Sequence, residues 1–559
     1  MPSASIRPAA TSSAEVLGRL DVRDPDFWLG ALCWGVIAFS CLQLTLFGFG
    51  RDQGIYALVA DAVLRGQMPY RDVWDFKPPG IFVVYALAQA LFGKTMLAPR
   101  LLEVLGLLLV VMCMRRLSSV FVGSTRPGLL AGALAALLHA QMEFWHTGQP
   151  ESFGGFLTLY ALALTATEYP RRWRWLVWIA IGLLFGAAFL LKPPLGGGAL
   201  ACAAFLAGRE LGGQRFAARA LLPLVVIGAA FVVPIAACAA WFALGGAWGD
   251  LAWTLFEFTP GYTTLSWEGQ SAPEVFYYGL EELFFRFSAL LAAGVIALLA
   301  ISPMHGRERQ GLFLVLGVLS VHLAGIAMQG KFFQYHYAAS LPLVALLAGV
   351  GLYKLWRRCL AAGGSGVLAY VSFLLVAASM RTPVRDLSEG FWWRSALRTQ
   401  WLLGVAPFSS REVLDSELYR VSDYNLGADH RVAHAIRRFT APGERVFVWG
   451  FEPVIYWLSN RPPASRFIYN VPQRAQWERE FARSELRREL GAKPPEAIVV
   501  QRNDVMPVVT GGWSDSRAAL GSFPWLDELI KEQYERVSTI EDFDLYARRA
   551  ETAQVDVQR

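Results

Sequence analysis

The sequence predicts a polytopic α-helical membrane protein of about eleven spans, followed by a C-terminal extracytoplasmic α/β domain. Hydrophobic residues occupy 55% of the 559 positions and charged residues only 17%, whereas a soluble protein carries about a quarter charged residues. The charge is unevenly distributed, because residues 1–381 hold 47 charged side chains and the much shorter segment 382–559 holds 49. The first part is therefore predicted to lie in the membrane, and the second to be a soluble domain.

Eleven apolar runs of membrane length are predicted to form the spans of residues 27–381. They cover residues 27–49, 97–114, 127–146, 151–168, 174–191, 193–208, 220–244, 284–303, 311–328, 337–356 and 366–381. A shorter run, Ile81 to Phe92, has only about a dozen residues. Because this is too short for a span, we predict a juxtamembrane or re-entrant helix there.

The basic residues of the loops predict the orientation of these spans. If residues 81–92 do not cross, 17 lysines and arginines fall in one set of loops and eight in the other. Because basic loops remain in the cytoplasm, the N-terminal segment 1–26 is predicted to be cytoplasmic and the domain 382–559 extracytoplasmic. We expect a multi-pass protein of a bacterial inner (plasma) membrane, with the lipid bilayer as one partner.

Metal, cofactor and nucleic-acid chemistry find little support in the sequence. All six cysteines lie in or beside apolar runs, and no two have CxxC spacing, so a cysteine zinc site is unsupported. No basic run carries the interleaved aromatic residues of a nucleic-acid surface. His139, Glu143 and His146 have a helical spacing that could bind zinc, but a face lining a wet cavity is favoured, because no further ligand is evident. We expect no cofactor, with zinc or magnesium left open, and no nucleic-acid partner.

The unusual polar residues of the membrane half fall on the predicted outer side, which favours a surface catalytic cavity over the mid-membrane charges of a transporter. Asp52 precedes an apolar-periodic helix and would be either its N-cap or a catalytic carboxylate. Lys77 and Lys192 each precede two prolines, which hold the ammonium group at one depth. Each is either a snorkelling lysine or a phosphate ligand. His336, between two tyrosines, belongs either to an aromatic belt or to the cavity.

The tail has the pattern of a small α/β domain. Residues 445–449 and 496–500 are predicted to be buried strands, and residues 534–546 a hairpin or edge pair. The charged segment 473–490 is helical in period. Since the tail carries no evident nucleophile or metal constellation, we expect it to shape an acceptor site or to pack on the membrane module.

Several outer motifs occur in a fixed order along the chain. In the first outer loop, residues 49–96, they are Arg51-Asp52-Gln53-Gly54-x-Tyr56-Ala57, Gly66-x-x-Pro69-Tyr70-x-Asp72, Lys77-Pro78-Pro79-Gly80 and Leu91-Phe92-Gly93. Later come Pro150-Glu151, Lys192-Pro193-Pro194, Tyr335-His336-Tyr337, Trp449-Gly-Phe-Glu452 with Tyr456, and Asn460-Arg-Pro462. Together they resemble the GT-C superfamily of membrane glycosyltransferases that use polyprenyl-phosphate sugars, in its protein-mannosyltransferase-like and lipopolysaccharide-modifying (RgtA/B/C/D-like, aminoarabinose-transferase-like) branch.

The resemblance implies roles for these residues. Asp52 would be the catalytic carboxylate, and Lys77 would contact the donor phosphate, with Lys192 and His336 as further phosphate ligands. The expected lining of the cavity is Arg51, Tyr56, Tyr70, Asp75, Glu143, Glu151, Lys331, Tyr335 and Tyr337. The chain departs from the family where a second acid is common, because Gln53 and Phe76 stand at those positions, so Asp75 is a candidate substitute.

The implied function is transfer of a single sugar from a polyprenyl-phosphate carrier to an envelope acceptor, with inversion at the anomeric carbon. The acceptor would be a lipopolysaccharide, a polysaccharide or a protein hydroxyl, and the sugar a hexose or a pentose. Two alternatives remain open at this point: an O-antigen or polysaccharide polymerase or ligase, and a membrane transporter or flippase.

Overall fold

The computed structural model describes residues 24–211, 218–266, 269, 271–286, 289–301, 304, 306–379 and 387–549. Residues 1–23 of the predicted cytoplasmic segment and the predicted domain boundary at residues 381–382 lie outside these ranges. The described chain is mostly helical, and a helix lies at every one of the eleven predicted apolar runs.

The helices before residue 380 form the membrane half and are numbered in chain order. They are α1 (Pro25–Thr45), α2 (Arg51–Leu64), α3 (Gly80–Phe92), α4 (Leu97–Val122), α5 (Arg126–Gln141), α6 (Glu143–His146), α7 (Pro150–Ala166), α8 (Arg171–Leu191), α9 (Gly198–Leu211), α10 (Leu221–Leu244), α11 (Trp248–Ala252), α12 (Thr259–Thr264), α13 (Ala272–Arg286), α14 (Ala289–Ile301), α15 (Gly306–Gln329), α16 (Leu341–Ala361) and α17 (Gly364–Ser379). A π-helical segment, Trp253–Phe258, joins α11 to α12, and 3₁₀ turns occupy Pro193–Gly197, Ala218–Ala220 and Gln334–Tyr337.

Five of the described helices are long and apolar enough to cross a bilayer by length and composition. They are Pro25–Thr45, Leu97–Val122, Arg171–Leu191, Ala218–Leu244 and Gly306–Gln329. Helix α3, at the ambiguous short run, has 13 residues and is therefore only about 20 Å long, less than the thickness of a hydrocarbon core. The total of eleven spans remains a prediction.

Proline and capping residues set the helix ends that matter for the site. Helix α8 ends at Leu191 because Lys192 precedes Pro193 and adopts the extended backbone that a residue before proline favours. Helix α2 begins at Arg51, with Gly50 as its N-cap. The Gly50 amide donates to Gln53 Oε1 over 2.9 Å, which closes the first turn in the manner of a capping box.

The tail contains a four-stranded mixed sheet flanked by helices. Its helices are α18 (Leu387–Leu402), α19 (Arg411–Leu418), α20 (Leu426–Phe439), α21 (Val454–Ser459), α22 (Val471–Arg474), α23 (Arg479–Ala492), α24 (Pro507–Thr510), α25 (Ser516–Ala519) and α26 (Pro524–Gln533), with a 3₁₀ turn at Leu520–Ser522. Its strands are β1 (Arg420–Val421), β2 (Tyr424–Asn425), β3 (Val446–Trp449), β4 (Ala497–Gln501), β5 (Tyr534–Ile540) and β6 (Phe543–Arg548).

The sheet has the order β3-β4-β6-β5, while β1 and β2 form a separate pair. Strands β3 and β4 are parallel, and the β4–β6 and β5–β6 pairs are antiparallel. The strands predicted at residues 445–449 and 496–500 and the hairpin at 534–546 are therefore present. The helix predicted over residues 473–490 begins later than expected, at Arg479, since α22 ends at Arg474 and residues 476–478 form a turn. In that turn the Trp477 indole donates to the Phe258 carbonyl over 3.0 Å.

The tail packs directly on the first loop of the membrane half. The Trp74 amide donates to the Arg466 carbonyl over 2.8 Å, and the Trp74 ring contacts Phe467 and Tyr469. The Tyr424 hydroxyl donates to the carbonyl of Phe49 over 2.8 Å. One continuous apolar core includes residues of both parts, so the first loop is held between the membrane helices and the tail.

Candidate functional site

Five separate segments bring a group of charged side chains to one end of the helix bundle. Asp52 lies in the first turn of α2, Glu151 in the first turn of α7, Lys77 before α3, Lys192 after α8, and His336 in the turn before α16. Lys192 Nζ is 2.8 Å from Glu151 Oε1, and His336 Nε2 is 3.9 Å from the same oxygen. The carboxylate of Asp52 lies within electrostatic range of both lysines. The structure therefore brings together Asp52 and all three predicted phosphate ligands.

The surroundings of Asp52 leave its carboxylate partly accessible. Its side chain is half-buried, and Oδ2 accepts a hydrogen bond from Gln149 Nε2 over 3.1 Å. Gln149 Oε1 in turn accepts from the Tyr56 hydroxyl over 2.9 Å. Because Gly50 is the N-cap of α2, the capping role considered for Asp52 is filled by another residue. Asp52 sits instead in the first helical turn, where the helix dipole favours a negative charge.

Gln53, at a position where the family often has an acid, serves as a structural amide. Besides accepting from Gly50, it donates from Nε2 to the carbonyl of Thr147 over 2.6 Å and to that of Trp145 over 3.3 Å. A carboxylate at this position could accept the bond from the Gly50 amide, but it could not donate to the carbonyls of Thr147 and Trp145. The buried amide therefore fits this chain, and it leaves Asp52 without an acidic neighbour in sequence.

Asp75 connects the first loop to the tail and is fully buried. Its Oδ1 accepts from the Tyr469 hydroxyl over 2.6 Å, and its Oδ2 accepts from the Lys77 amide over 3.3 Å. Burial raises the pKa of Asp75 to about 6, although Lys77 and the Tyr469 hydroxyl oppose the shift. This carboxyl group therefore holds the Lys77 segment in place.

A cavity of about 500 Å³ adjoins this group, and we call it the lysine cavity. Its walls are mostly apolar and come from α8, α10 and residues 248–263. Its polar side chains include Lys77, Lys192, Lys331 and His336. An apolar channel that ends in several cations fits an anionic group carried on an apolar chain, because lysines bind phosphate as point charges.

Burial weakens the protonation of three basic groups around this cavity, whereas the pKa of Lys77 is raised well above its usual range because nearby Tyr335 and Asp52 outweigh its burial. Burial lowers the pKa of Lys331 to about 8 and also lowers the pKa of Lys192, against the opposing charge of Glu151. Burial, reinforced by the charges of Lys192 and Lys77, lowers the pKa of His336 well below its usual range. Since a bound anion would offset these desolvation costs, the cavity is better matched to an anionic occupant than to water.

Lys331 and Tyr335 line the approach to Lys77. Lys331 Nζ donates to the Val508 carbonyl over 2.7 Å and lies 4.1 Å from the centre of the Tyr262 ring. The Tyr335 hydroxyl is 3.5 Å from Lys77 Nζ. The predicted positions of Lys331 and Tyr335 near the basic group therefore agree with the structure, and Val508 adds a contact from the tail.

Tyr56, Tyr70 and Tyr337, predicted to line the cavity, are fully buried and support it from behind. Tyr56 holds Gln149, as described above. The Tyr70 hydroxyl donates to the Lys77 carbonyl over 2.7 Å, and the Tyr337 hydroxyl donates to that of Gly279 over 3.2 Å. These tyrosines therefore hold one buried side chain and two backbone carbonyls, and none of them lines the lysine cavity.

Arg51 and Glu143, also predicted to line the cavity, lie elsewhere. Arg51 is buried under the tail, where it pairs with Glu452 and, over 2.8 Å, with Asp423. Glu143 is paired with Arg398 of α18 in another buried site. Both predictions are corrected, because each side chain is engaged by a tail residue far along the chain.

The predicted helical face of His139, Glu143 and His146 does not form. Helix α5 ends at Gln141, and Glu143 has a positive φ of 60°, so the three side chains do not follow one helical repeat. His139 Nε2 contacts Glu103 over 2.8 Å. His146 instead approaches the charged group, with its ring centre 5.9 Å from that of Tyr335. Within the described ranges, no group of three or more His, Cys, Asp or Glu residues could hold a metal ion.

Sequence reasoning singled out the segment that holds Gln149 but gave the residue no role. An amide has no charge or ligand spacing to mark it, and the only available signal was its place before Pro150-Glu151 in an outer motif. His146 was likewise assigned to a different face.

Comparison with known proteins supports the resemblance seen in the motifs. Residues 76–241 match the model of the family described as dolichyl-phosphate-mannose-protein mannosyltransferase. No curated protein matches the chain in sequence.

Two solved structures share the fold along almost the whole chain. A crystal structure of ArnT from Cupriavidus metallidurans bound to undecaprenyl phosphate matches with a TM-score of 0.55 at 15% identity, covering 94% of this chain and 99% of that one. The apo structure of the same protein matches with a TM-score of 0.55 at 15% identity, covering 92% and 97%. The two structures show that the fold is shared, and the family match over residues 76–241 confirms the resemblance predicted from the motifs.

Proposed function

We propose that the protein is a glycosyltransferase that moves a single sugar from a polyprenyl-phosphate carrier to an acceptor hydroxyl. The observation that carries the proposal is the half-buried carboxylate of Asp52 beside an apolar cavity that ends in Lys77, Lys192 and His336. The bound undecaprenyl phosphate of the structurally similar ArnT supports a lipid-phosphate donor here.

The lysine cavity would bind both the polyprenyl chain and the phosphate of the donor. The polyprenyl chain would lie along the apolar walls, and its phosphate would meet the ammonium groups of Lys77 and Lys192. In this structure Glu151 neutralises Lys192. Since a phosphate competes with that carboxylate for the same ammonium group, Glu151 would serve as the partner of Lys192 while the cavity lacks a donor.

In the reaction, the acceptor oxygen attacks the anomeric carbon from the face opposite the phosphate. Asp52 takes the hydroxyl proton as general base, the bond between the anomeric carbon and the phosphate oxygen breaks, and polyprenyl phosphate leaves. The lysines stabilise the negative charge that builds on the departing phosphate. Because the attack and departure occur on opposite faces, the anomeric configuration inverts. These cations can supply the charge stabilisation, so we propose a metal-independent reaction.

The proposed setting is the outer face of a bacterial inner membrane. The N-terminus would be cytoplasmic and the tail periplasmic, as the distribution of basic loop residues predicts. The acceptor would be an envelope glycan, lipid or protein hydroxyl, and the sugar a hexose or a pentose.

The test is donor turnover by the purified protein in nanodiscs. A panel of undecaprenyl-phosphate monosaccharides would be offered with a crude envelope extract as acceptor, and release of undecaprenyl phosphate would be measured. Asp52→Asn should abolish turnover, whereas Asp61→Asn, a carboxylate on the same helix that pairs with Arg65 and Lys94, should retain it. Equal turnover by wild type and Asp52→Asn would overturn the assignment of Asp52.

A further inference from the structure

A second cavity of about 700 Å³ lies at the opposite end of α8 from the lysine cavity. Helix α8 begins beside this cavity at Arg171 and reaches the lysine cavity at its C-terminal end. Its 21 residues rise about 31 Å, close to the thickness of a hydrocarbon core. The two cavities are therefore about one bilayer apart along the same helix.

Arginines from several helices and turns converge on this second cavity, which we call the arginine cavity. They are Arg116, Arg171, Arg174, Arg209, Arg219 and Arg307. The carboxylates among the lining residues are Glu168 and Glu210. The positive-inside rule predicts basic residues at this end of the bundle, but it does not predict that they line one concave site.

Most of these guanidinium groups are held in place by the protein. Arg174 pairs with Glu210 over 2.6 Å, and Arg219 donates to the Glu210 carbonyl over 2.9 Å. Arg209 donates to the carbonyls of Thr165 and Ala166 at the end of α7, over 3.0 Å each. These bonds hold the arginines in place but do not neutralise all of them, because the hydrogen bonds of Arg209 go to backbone carbonyls and not to a carboxylate.

Arg171, at the start of α8, and Arg307, at the start of α15, complete the lining of the arginine cavity. Both are exposed, and neither has an ion pair or side-chain hydrogen bond within the part of the chain that the structure describes. A guanidinium group offers several N–H donors in a planar fork that matches a phosphate. Two such groups facing one cavity are therefore available to an anionic ligand.

The lining of the arginine cavity also includes large apolar side chains, among them Phe121, Leu164, Trp178 and Leu206. Trp173 and Trp175 of α8 neighbour the lining residues Arg171 and Arg174 in sequence. Both tryptophans are about half exposed, as is typical at a membrane interface. Guanidinium groups and apolar side chains that line one cavity near the membrane interface match a lipid, because its phosphate needs the first and its acyl chains need the second. A free phosphate would leave the apolar surface unused.

We propose that the arginine cavity binds the phosphate headgroup of an anionic phospholipid from the adjoining leaflet. The lipid would neutralise the excess positive charge and stabilise the packing of α4, α7, α8 and α9 at this end of the bundle. This site is separate from the proposed reaction, so it does not depend on the glycosyltransferase assignment.

The test is native mass spectrometry of the full chain released from detergent with added cardiolipin, phosphatidylglycerol or phosphatidylcholine. The wild type should retain the two anionic lipids and not phosphatidylcholine. Arg171→Ala/Arg307→Ala should bind them roughly 10- to 30-fold more weakly, because each basic residue near a headgroup contributes to such binding. The matched control Arg172→Ala/Arg309→Ala removes neighbouring exposed arginines that do not line the cavity, and its binding should change less than about threefold.

A second arm separates a lipid from a soluble anion. Inorganic phosphate and a short-chain phosphatidylglycerol would be compared as competitors, with thermal unfolding of each variant as a measure of folding. Effective competition by the lipid alone supports the proposal. Equal competition by inorganic phosphate, or equal lipid loss in both double variants when both are folded, would overturn it.

Discussion

Gln149 donates a hydrogen bond from its side-chain amide to Asp52 Oδ2 over 3.1 Å, while its carbonyl oxygen accepts from Tyr56 over 2.9 Å. Gln149 is fully buried, and its Nε2 also donates to the Trp145 carbonyl over 3.3 Å, so this acceptor fixes which end of the amide faces the carboxylate. The carboxylate of Asp52 is thereby held in one orientation by a neutral donor. Gln149 is a positioning residue, because it acts through Asp52.

The first prediction concerns this positioning. Gln149→Leu should lower kcat by about 10- to 100-fold, because a misplaced general base loses much of its contribution, while the KM for the donor changes little. Tyr56→Phe should give a smaller loss in the same direction. The matched control is Gln89→Leu, which removes another buried amide of the first loop. A rise in KM with kcat unchanged would assign Gln149 to donor binding instead.

The second prediction concerns the lysines of the lysine cavity. Lys77→Ala and Lys192→Ala should each lower kcat/KM by roughly 10²–10³-fold, because each removes a charge from the departing phosphate. Lys94→Ala is a suitable control, since Lys94 also lies in the first loop but pairs with Asp61 outside the cavity. Turnover would be followed by release of undecaprenyl phosphate. Losses no larger than that of Lys94→Ala would refute a phosphate-binding role.

The third prediction is a pH dependence of donor binding. Burial lowers the pKa of Lys331 to about 8, so its ammonium group loses its proton as the pH rises through that value. Affinity for undecaprenyl phosphate should therefore fall between about pH 7 and 9. Lys331→Arg should keep its charge and bind without this decline, while Lys331→Met should bind weakly at every pH. A binding curve of Lys331→Met that still follows the wild-type decline would show that another group causes it.

The fourth prediction concerns the buried carboxyl of Asp75. Its pKa of about 6 in the folded chain exceeds the ordinary value of 3.8, so the folded state binds the proton more tightly and its stability falls as the pH rises from about 4 to 6. The difference corresponds to roughly 3 kcal/mol. In thermal unfolding, the stability of Asp75→Asn should depend less on pH over this range than that of the wild type. The asparagine can still accept the hydrogen bond from Tyr469. An identical pH dependence in the variant would remove Asp75 as the source.

The sequence predicted those site residues whose position depends only on the side of the membrane on which their loop lies. Lys77, Lys192 and His336 each stand in a loop on the predicted outer side, so their convergence could be expected without knowledge of the packing. Glu143 could not be placed this way, because its partner Arg398 comes from a helix more than 250 residues later. The helical spacing assumed for it also fails where α5 ends.

In the tail, too, local elements could be predicted from the sequence, whereas contacts between distant residues could not. Strands β3 and β4 were predictable from short apolar runs, each preceded by a charged residue, Arg445 or Glu496. The contact of Trp74 with Phe467 was not, because no local pattern tells which surface a tryptophan will cover. The pairing of Arg51 with the tail was missed for the same reason, although Arg51 stands directly beside the proposed catalytic Asp52.

The last prediction tests that pairing. Arg51→Met would leave the carboxylates of Glu452 and Asp423 without their shared cation in a buried site, and removing one partner of a buried ion pair costs about 3–5 kcal/mol. Arg65→Met is the control, because Arg65 pairs with Asp61 at the surface, with about half of its side chain exposed, and such pairs contribute less than about 1 kcal/mol. The measurement is thermal unfolding in nanodiscs, with limited proteolysis of the tail as a second readout. Early release of the tail in Arg51→Met alone would show that this ion pair fastens the tail to the loop that carries Asp52. Equal stability of the two variants would instead assign that attachment to the apolar contacts around Trp74.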